Sequence, residues 1–334
     1  MLELNADNAL DYLRSNGWLG KGAAQVEVLG WGVSNAVLRV HTPDQTFILK
    51  QSRPQLRTRD AWFSDLERIY REQEVMEVLY PLLPEPTVPE VLFSDRANYV
   101  FAMSHAPAGA RVWKERLLAG EVDCAIAERA GLILGMMHEA TARNTQLIER
   151  FRDHTVFVQL RVDPFYRRVQ ERRAEVAAAV QPIIDRMLSL KEALCHGDYS
   201  PKNILTHKRG FTLVDYETAH FGDPTMDLGF FLSHLTLKAV KHAPQHAPFF
   251  DLTRAFWRAY GQVVTFRTLA DLQASGTEHM AVCALARIDG TSPVDYLPEE
   301  PKREAVRRMA RRLLFEQALA WEEVLEICQS CLPA

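Results

Sequence analysis

A chain of 334 residues, 47% hydrophobic and 25% charged, has apolar surface enough for a globular protein, and its length suits two lobes better than one core. The net charge of −4 gives no reason to expect nucleic acid or an anionic membrane as partner, and no stretch approaches the run of about 18 apolar residues that would span a bilayer. Five scattered cysteines, and an acidic start from Met1 to Asp7 without the basic opening of a signal peptide, suit a reducing, cytoplasmic setting.

Asn5 to Asn16 reads as a short helix stopped by Gly17. Three β-rich runs follow, Gln25–Leu29, Ala36–His41 and Thr46–Gln51, separated by Gly30-Trp31-Gly32 and by a turn around Pro43-Asp44. An amphipathic helix is predicted from Asp60 to Tyr80, halted by Pro81, and two further β runs at Glu90–Phe93 and Tyr99–Ser104. Residues 1–103 therefore read as a small, β-rich lobe with one major helix. After the linker His105-Ala106-Pro107-Ala108-Gly109, residues 104–334 turn mainly helical. Ala125–Ala142 carries Ile126, Ala130, Ile133, Leu134 and Met137 at helical spacing. Leu194 to Tyr216 reads as a β hairpin turning near Lys208-Arg209-Gly210, and helical periodicity returns from Asp227. Cys328 and Cys331 form a CxxC with no second pair, which cannot complete a tetrahedral zinc site; they read as two thiols at the frayed end of a helix.

The sharpest segment is Cys195-His196-Gly197-Asp198-Tyr199-Ser200-Pro201-Lys202-Asn203-Ile204-Leu205. Its H-x-D-x-x-x-x-N skeleton runs into an apolar strand, the pattern in which an Asp accepts a hydroxyl proton and an Asn five residues on binds a metal ion. Downstream, Phe211-Thr212-Leu213-Val214-Asp215 puts a second carboxylate at a strand end, and Asn203 with Asp215 offers the hard oxygen ligands that Mg²⁺ prefers. Leu29-Gly30-Trp31-Gly32-Val33-Ser34-Asn35-Ala36-Val37 is similar to a G-x-G-x-x-G-x-V phosphate loop with Asn35 in place of the third glycine; a strand follows it, so it is no dinucleotide fingerprint. Phe47-Ile48-Leu49-Lys50 places a lysine at a strand end, where it would bridge nucleotide phosphates and pair with a helical glutamate. Glu72 is the first choice for that partner; Glu74 lies on another face.

These segments, with Arg71-Glu72, Met103, Val214-Asp215-Tyr216-Glu217 and Gly222-Asp223-Pro224-Thr225-Met226-Asp227-Leu228, make the chain resemble the aminoglycoside phosphotransferase and choline kinase-like enzymes over nearly its whole length. The resemblance implies an α+β, bilobal protein-kinase-like fold, with a small β-rich N-lobe for the nucleotide and a larger, mainly helical C-lobe for catalysis and acceptor. It implies ATP (or GTP) and Mg²⁺ as cofactors, Asp198 as base, and Asn203 and Asp215 as metal ligands. Gly30, Gly32, Ser34, Asn35, Lys50 and Glu72 would surround the phosphates, and Met103, Ser104 and Ala106 the nucleobase. Asp227 would anchor the catalytic loop; read locally it is equally a helix N-cap. Two departures stand out: the missing third glycine, and Ser200-Pro201-Lys202 where many relatives have His-Pro-Gly. Lys202 is read as facing solvent, with a phosphate contact as the other possibility.

For the acceptor, the segment Arg150–Glu175 holds seven arginines, a poor lining for a polycationic antibiotic, so a neutral or anionic hydroxyl compound such as a sugar is expected. Arg161 to Arg167 and Arg287 to Pro293 read as polar loops able to line a pocket. A choline-type amino alcohol, caged by Trp113, Tyr166, Trp257 or Tyr296, and an aminoglycoside stay open. So does a nucleotide-binding regulator without catalysis, against which the complete set of Lys50, Asp198, Asn203 and Asp215 argues. Oligomeric state is not legible.

Overall fold

The computed structural model describes residues 2–29, 35–53, 65–316 and 318–333. The chain divides into two units, Met1–Gly109 with Thr212–Glu217, and Ala110–Phe211 with Thr218–Ala334.

The first unit is built on a five-stranded antiparallel sheet. Its strands are β1 (Gln25–Val28), β2 (Asn35–His41), β3 (Thr46–Ser52), β4 (Val91–Asp95) and β5 (Val100–Ser104), in the order β1-β2-β3-β5-β4. In β3 nearly every residue is buried, because both faces of this central strand are covered. Phe47 and Leu49 join Leu38, Val40, Val100 and Ala102 against Ala9 and Leu13 of helix α1 (Ala9–Ser15). The alternate residue Lys50 points the other way, to helix α2 (Arg68–Leu79), which buries Ile69, Glu72, Val75, Met76 and Leu79. The expected start of that helix at Asp60 falls outside the described residues. The stretch Thr212–Glu217 docks on this unit by main-chain contact: Leu213 N–H donates to Thr87 O at 2.7 Å, and the Thr212 hydroxyl to Pro86 O at 2.9 Å.

The second unit is mainly helical, with short strands β6 (Arg111–Val112), β7 (Ala193–Cys195), β8 (Ile204–His207) and β10 (His220–Gly222), while β9 (Gly210–Leu213) begins in it and ends in the Thr212–Glu217 stretch counted with the first. The hairpin expected from Leu194 to Tyr216 is narrower than that. Only β8 and β9 flank the turn, whereas β7 pairs antiparallel with β10. The reason is the loop between β7 and β8, which leaves the sheet at Gly197 with φ 75°. The helix predicted at Ala125–Ala142 runs Cys124–Thr141, its first turn capped by Asp123, whose carboxylate accepts from Ala125 N–H. It lies so close to the helix Ala247–Gly261 that a Cβ on Gly131 would sit 2.1 Å from Phe256 O. Thr225–His242 packs against Leu269–Asp289 and is buried all round from Thr225 to Val240. A π-helical stretch, Val158–Arg167, holds Pro164 and Arg161; its wider turn has no simple sequence signature.

Cys328 and Cys331 are buried, contrary to the frayed end expected. Trp321, Val324, Leu325 and Cys328 form one apolar face of the helix Trp321–Ser330, which packs on Glu300–Phe315.

Candidate functional site

The first unit gathers a charged cluster around Lys50. Its Nζ lies 2.5 Å from Glu72 Oε2 and 2.9 Å from Asp215 Oδ1, with Lys50 and Glu72 both buried. Glu74 turns outward to Arg96 instead, as the helical spacing requires. Glu217 completes the group: its Oε2 accepts from Arg68 Nε at 3.2 Å and from Asn35 Nδ2 at 2.9 Å. Asp215 itself adopts φ 73°, a left-handed backbone uncommon outside glycine and often found where a side chain is aimed for a task.

Three carboxylates thus surround the Lys50 ammonium. Burial drives that ammonium's pKa down, but Asp215, Glu72 and Glu217 outweigh it, and Lys50 is held above its ordinary value. The excess of negative charge falls on Glu72. Burial pushes its carboxyl up to about 7; Asp215 and Glu217 add to the rise and Lys50 opposes it. Glu72 Oε1 is buried without a hydrogen-bond partner among the described residues.

In the second unit the loop from β7 carries Asp198. Asp227, fully buried, accepts from His196 N–H at 2.7 Å and Gly197 N–H at 2.8 Å, with His138 Nε2 3.3 Å away. Burial would raise the Asp227 pKa; the bonds and charge from His138 and His196 win, and it is lowered. A side chain at Gly197 is barred twice, by φ 75° and by Thr218 O, which a Cβ would meet at 2.6 Å. Asp198 N–H then donates to His196 Nδ1 at 3.2 Å.

The Asp198 carboxylate is held from several sides. Arg161 Nη2 lies 2.7 Å from Oδ1, while its Nε donates to Gly197 O at 2.8 Å. Asn203 Nδ2 donates to Asp198 Oδ2 at 2.9 Å and to Asp198 O at 3.0 Å. Lys202, expected in solvent, is indeed 54% exposed along its side chain, yet its Nζ comes within 3.4 Å of Asp198 Oδ2. The loop is also tied by Lys114 N–H, which donates to Pro201 O at 2.9 Å.

Of the remaining sequence candidates, Gly30, Gly32 and Ser34 lie outside the described residues. Asn35 opens β2 with its amide turned to Glu217. Met103 is buried in β5 opposite Ile48, and Ser104 gives its N–H to Glu90 O at 2.8 Å, so His105 and Ala106 follow as the first residues past the sheet. Sequence reasoning missed Arg68 and His138, whose roles come from distant partners. It noticed Arg161 only as a member of a polar loop. No local pattern marks any of the three.

A sequence model of the phosphotransferase enzyme family matches residues 25–263. Methylthioribose kinase of Exiguobacterium sibiricum is 22% identical over 308 residues, spanning 80% of this chain and 75% of its own. Methylthioribose kinase 1 of Oryza sativa subsp. japonica is 24% identical over 244 residues, spanning 64% of this chain and 56% of its own. Among solved structures, the macrolide 2'-phosphotransferase of Brachybacterium faecium superposes with a TM-score of 0.53 at 19% identity, over 93% of this chain and 99% of that one. Plasmodium vivax ethanolamine kinase does so with 0.55 at 10% identity, over 97% and 88%. The α+β, protein-kinase-like fold expected from the sequence is the fold these structures share with it.

Proposed function

Since the chain belongs to the phosphotransferase enzyme family, and is thereby an ATP-dependent phosphotransferase with an alcohol group as acceptor, we propose that Asp198 is the base that deprotonates that alcohol. The observation that carries this reading is the fixing of the Asp198 carboxylate by Arg161 and Asn203, on a loop whose amides are anchored by buried Asp227. A base gains from such fixing because catalysis of phosphoryl transfer is mostly positioning and charge stabilisation. The acceptor hydroxyl gives its proton to Asp198 as its oxygen bonds the γ-phosphorus; the bond from that phosphorus to the β,γ-bridging oxygen breaks, and ADP leaves.

Lys50 is the residue proposed to hold the nucleotide phosphates, kept charged and extended by Glu72 and Asp215. The amides of His105 and Ala106 are proposed to meet the nucleobase, since Ser104 N–H is already given to Glu90. Asp215 and Asn203 fit Mg²⁺ by the chemistry of their donors. Asn203 uses its amide nitrogen on Asp198, leaving the oxygen as the ligating end, and Asp215 lies among carboxylates in excess over Lys50. Bound Mg²⁺ supplies neutralisation of the charge on the phosphate oxygens.

For the acceptor we favour a sugar-type hydroxyl, supported by the two methylthioribose kinases among the relatives. A quaternary-ammonium cage finds less support. Trp113 and Tyr166 are fully buried, the Tyr166 hydroxyl bonded to His279 Nδ1 at 2.6 Å, and the Tyr296 ring already has Lys238 Nζ 5.1 Å from its centre.

Asp198→Asn tests the base. It is expected to bind MgATP as the wild type does in calorimetry while turnover falls by about 10²–10⁴-fold. Near-normal turnover would remove Asp198 from the role.

A further inference from the structure

Beyond Asp198 the second unit carries a group of cations that the phosphotransfer step leaves unexplained. It starts from Arg161, whose guanidinium lies 5.7 Å from the centre of the Phe165 ring and 5.5 Å from that of Phe230. Phe165 also carries Arg287 at 5.9 Å, and Phe230 meets the His234 ring at 4.9 Å. One turn beyond His234 on the same helix, Lys238 points its ammonium at the Tyr296 ring, 5.1 Å from its centre. Lys114 reaches that ring as well, at 6.0 Å. Two cation groups therefore adjoin: Arg161 and Arg287 share the Phe165 ring beside the Asp198 carboxylate, and Lys238 and Lys114 share the Tyr296 ring one helical turn past His234.

Their counter-charges do not match. Lys238 is 1% exposed, and among the described residues it has neither a hydrogen bond nor a carboxylate within ion-pair distance. The same holds for the side chains of Lys114 and His234. The acids that act on this group are Asp198, which already faces Arg161 and Lys202, and the exposed Asp295 and Glu115. The Tyr296 hydroxyl is buried with no partner among the described residues, an unused donor beside the two lysines. Burial, then Lys114 and Arg287, press the Lys238 ammonium well below its ordinary pKa. Burial, then Lys238, Arg287, Lys114 and Lys202, do the same to His234. A lone buried ammonium repelled by its neighbours is a costly arrangement that a core of apolar residues would avoid. An anion between Lys114, Lys238 and Arg287 removes that cost.

We infer that this cluster is the anion-binding part of the acceptor site, so that the compound receiving the phosphoryl group carries a carboxylate or a phosphate as well as its reactive hydroxyl. The inference rests on the phosphotransfer reading and narrows its acceptor. The anionic group seats against Lys238, Lys114 and Arg287, which turns the hydroxyl end of the molecule toward Asp198. The same charges turn away cationic acceptors.

The test is ADP release from MgATP by the full chain, with matched neutral and anionic acceptors: glycerol against glycerate, glucose against gluconate, ribose against ribose 5-phosphate. An anionic member is expected to exceed its neutral partner in kcat/KM by about tenfold or more, as one charge-assisted contact allows. Whether glycerate and gluconate or ribose 5-phosphate respond separates a carboxylate from a phosphate. Lys238→Met is expected to raise KM for the preferred anion about tenfold or more with KM for MgATP unchanged. Lys114→Met, at a partly exposed side chain, acts in the same direction and guards against a folding defect in the first variant. Turnover of no anionic compound, preference for the neutral members, or an unchanged KM in both variants overturns the inference. The phosphotransfer reading is judged separately, by MgATP binding and by turnover of any acceptor, so neutral sugars alone would keep the kinase and discard the anion.

Discussion

Replacing Asp227 by Asn changes one atom of the anchor of the loop that carries Asp198, the proposed base. In the wild type both carboxylate oxygens are used, Oδ2 by His196 N–H at 2.7 Å and Oδ1 by Gly197 N–H at 2.8 Å, in a site with no solvent exposure. Hydrogen bonds to a charged acceptor contribute about 1.5–3 kcal/mol each. An Asn side chain keeps one oxygen and presents an NH₂ group to the second backbone N–H, so one such bond is lost. The buried donor left behind costs about 1–3 kcal/mol more. The sum is a destabilisation of about 2.5–6 kcal/mol, set against a total on the order of 5–15 kcal/mol for a domain. His138, 3.3 Å away, loses its ionised neighbour too. Urea unfolding followed by far-ultraviolet circular dichroism measures the loss. Because Asp227 positions Asp198 through the loop backbone, kcat of the folded variant should also fall by about 10²-fold, the effect of a misplacement of around 1 Å, with KM for MgATP little changed. A variant within about 1 kcal/mol of wild type and with normal kcat would refute the anchoring role.

Gly197→Ala puts a Cβ 2.6 Å from Thr218 O on a backbone at φ 75°, so thermal unfolding should show a loss of about 2–4 kcal/mol, and a fully stable variant would contradict the loop geometry. Glu72→Gln reports on the raised carboxyl. Its folded pKa of about 7 stands above the ordinary 4.5, so its stabilising contribution is fully present below 4.5 and is lost as pH rises through 7. Relative to the variant, the wild type should lose about 2 kcal/mol of stability between about pH 5 and pH 7.5 in urea titrations; a gap independent of pH would show that Glu72 titrates normally.

Local chemistry made much of the site readable. The H-x-D-x-x-x-x-N spacing delivers Asp198 and Asn203 to one loop because five residues of a single chain segment are enough to bring the amide back to the carboxylate. Helix periodicity says that only one of Glu72 and Glu74 can reach Lys50, and the structure shows that it is Glu72, the first choice. The strands of the first unit were legible because apolar runs broken by turn residues carry their own pattern. Where pairing depends on residues far away, that pattern is silent. The strand β7 looks like the first arm of a hairpin, yet its partner is β10, some 25 residues on. The buried thiols of Cys328 and Cys331 likewise depend on a neighbouring helix that their own sequence does not specify.

The sequence by itself determined the strands of the first unit, the phosphotransferase motifs and the identity of the residues proposed for chemistry, because each is written in spacings of a few residues. Beyond the Lys50–Glu72 pair, tertiary structure decided which charges meet. Asn35 reaches Glu217 across 182 positions, Lys50 reaches Asp215 across 165, and Lys238 is left without a carboxylate of its own among the described residues. A charge's surroundings are assembled from distant segments, and its energy depends on that assembly far more than on its neighbours in the chain.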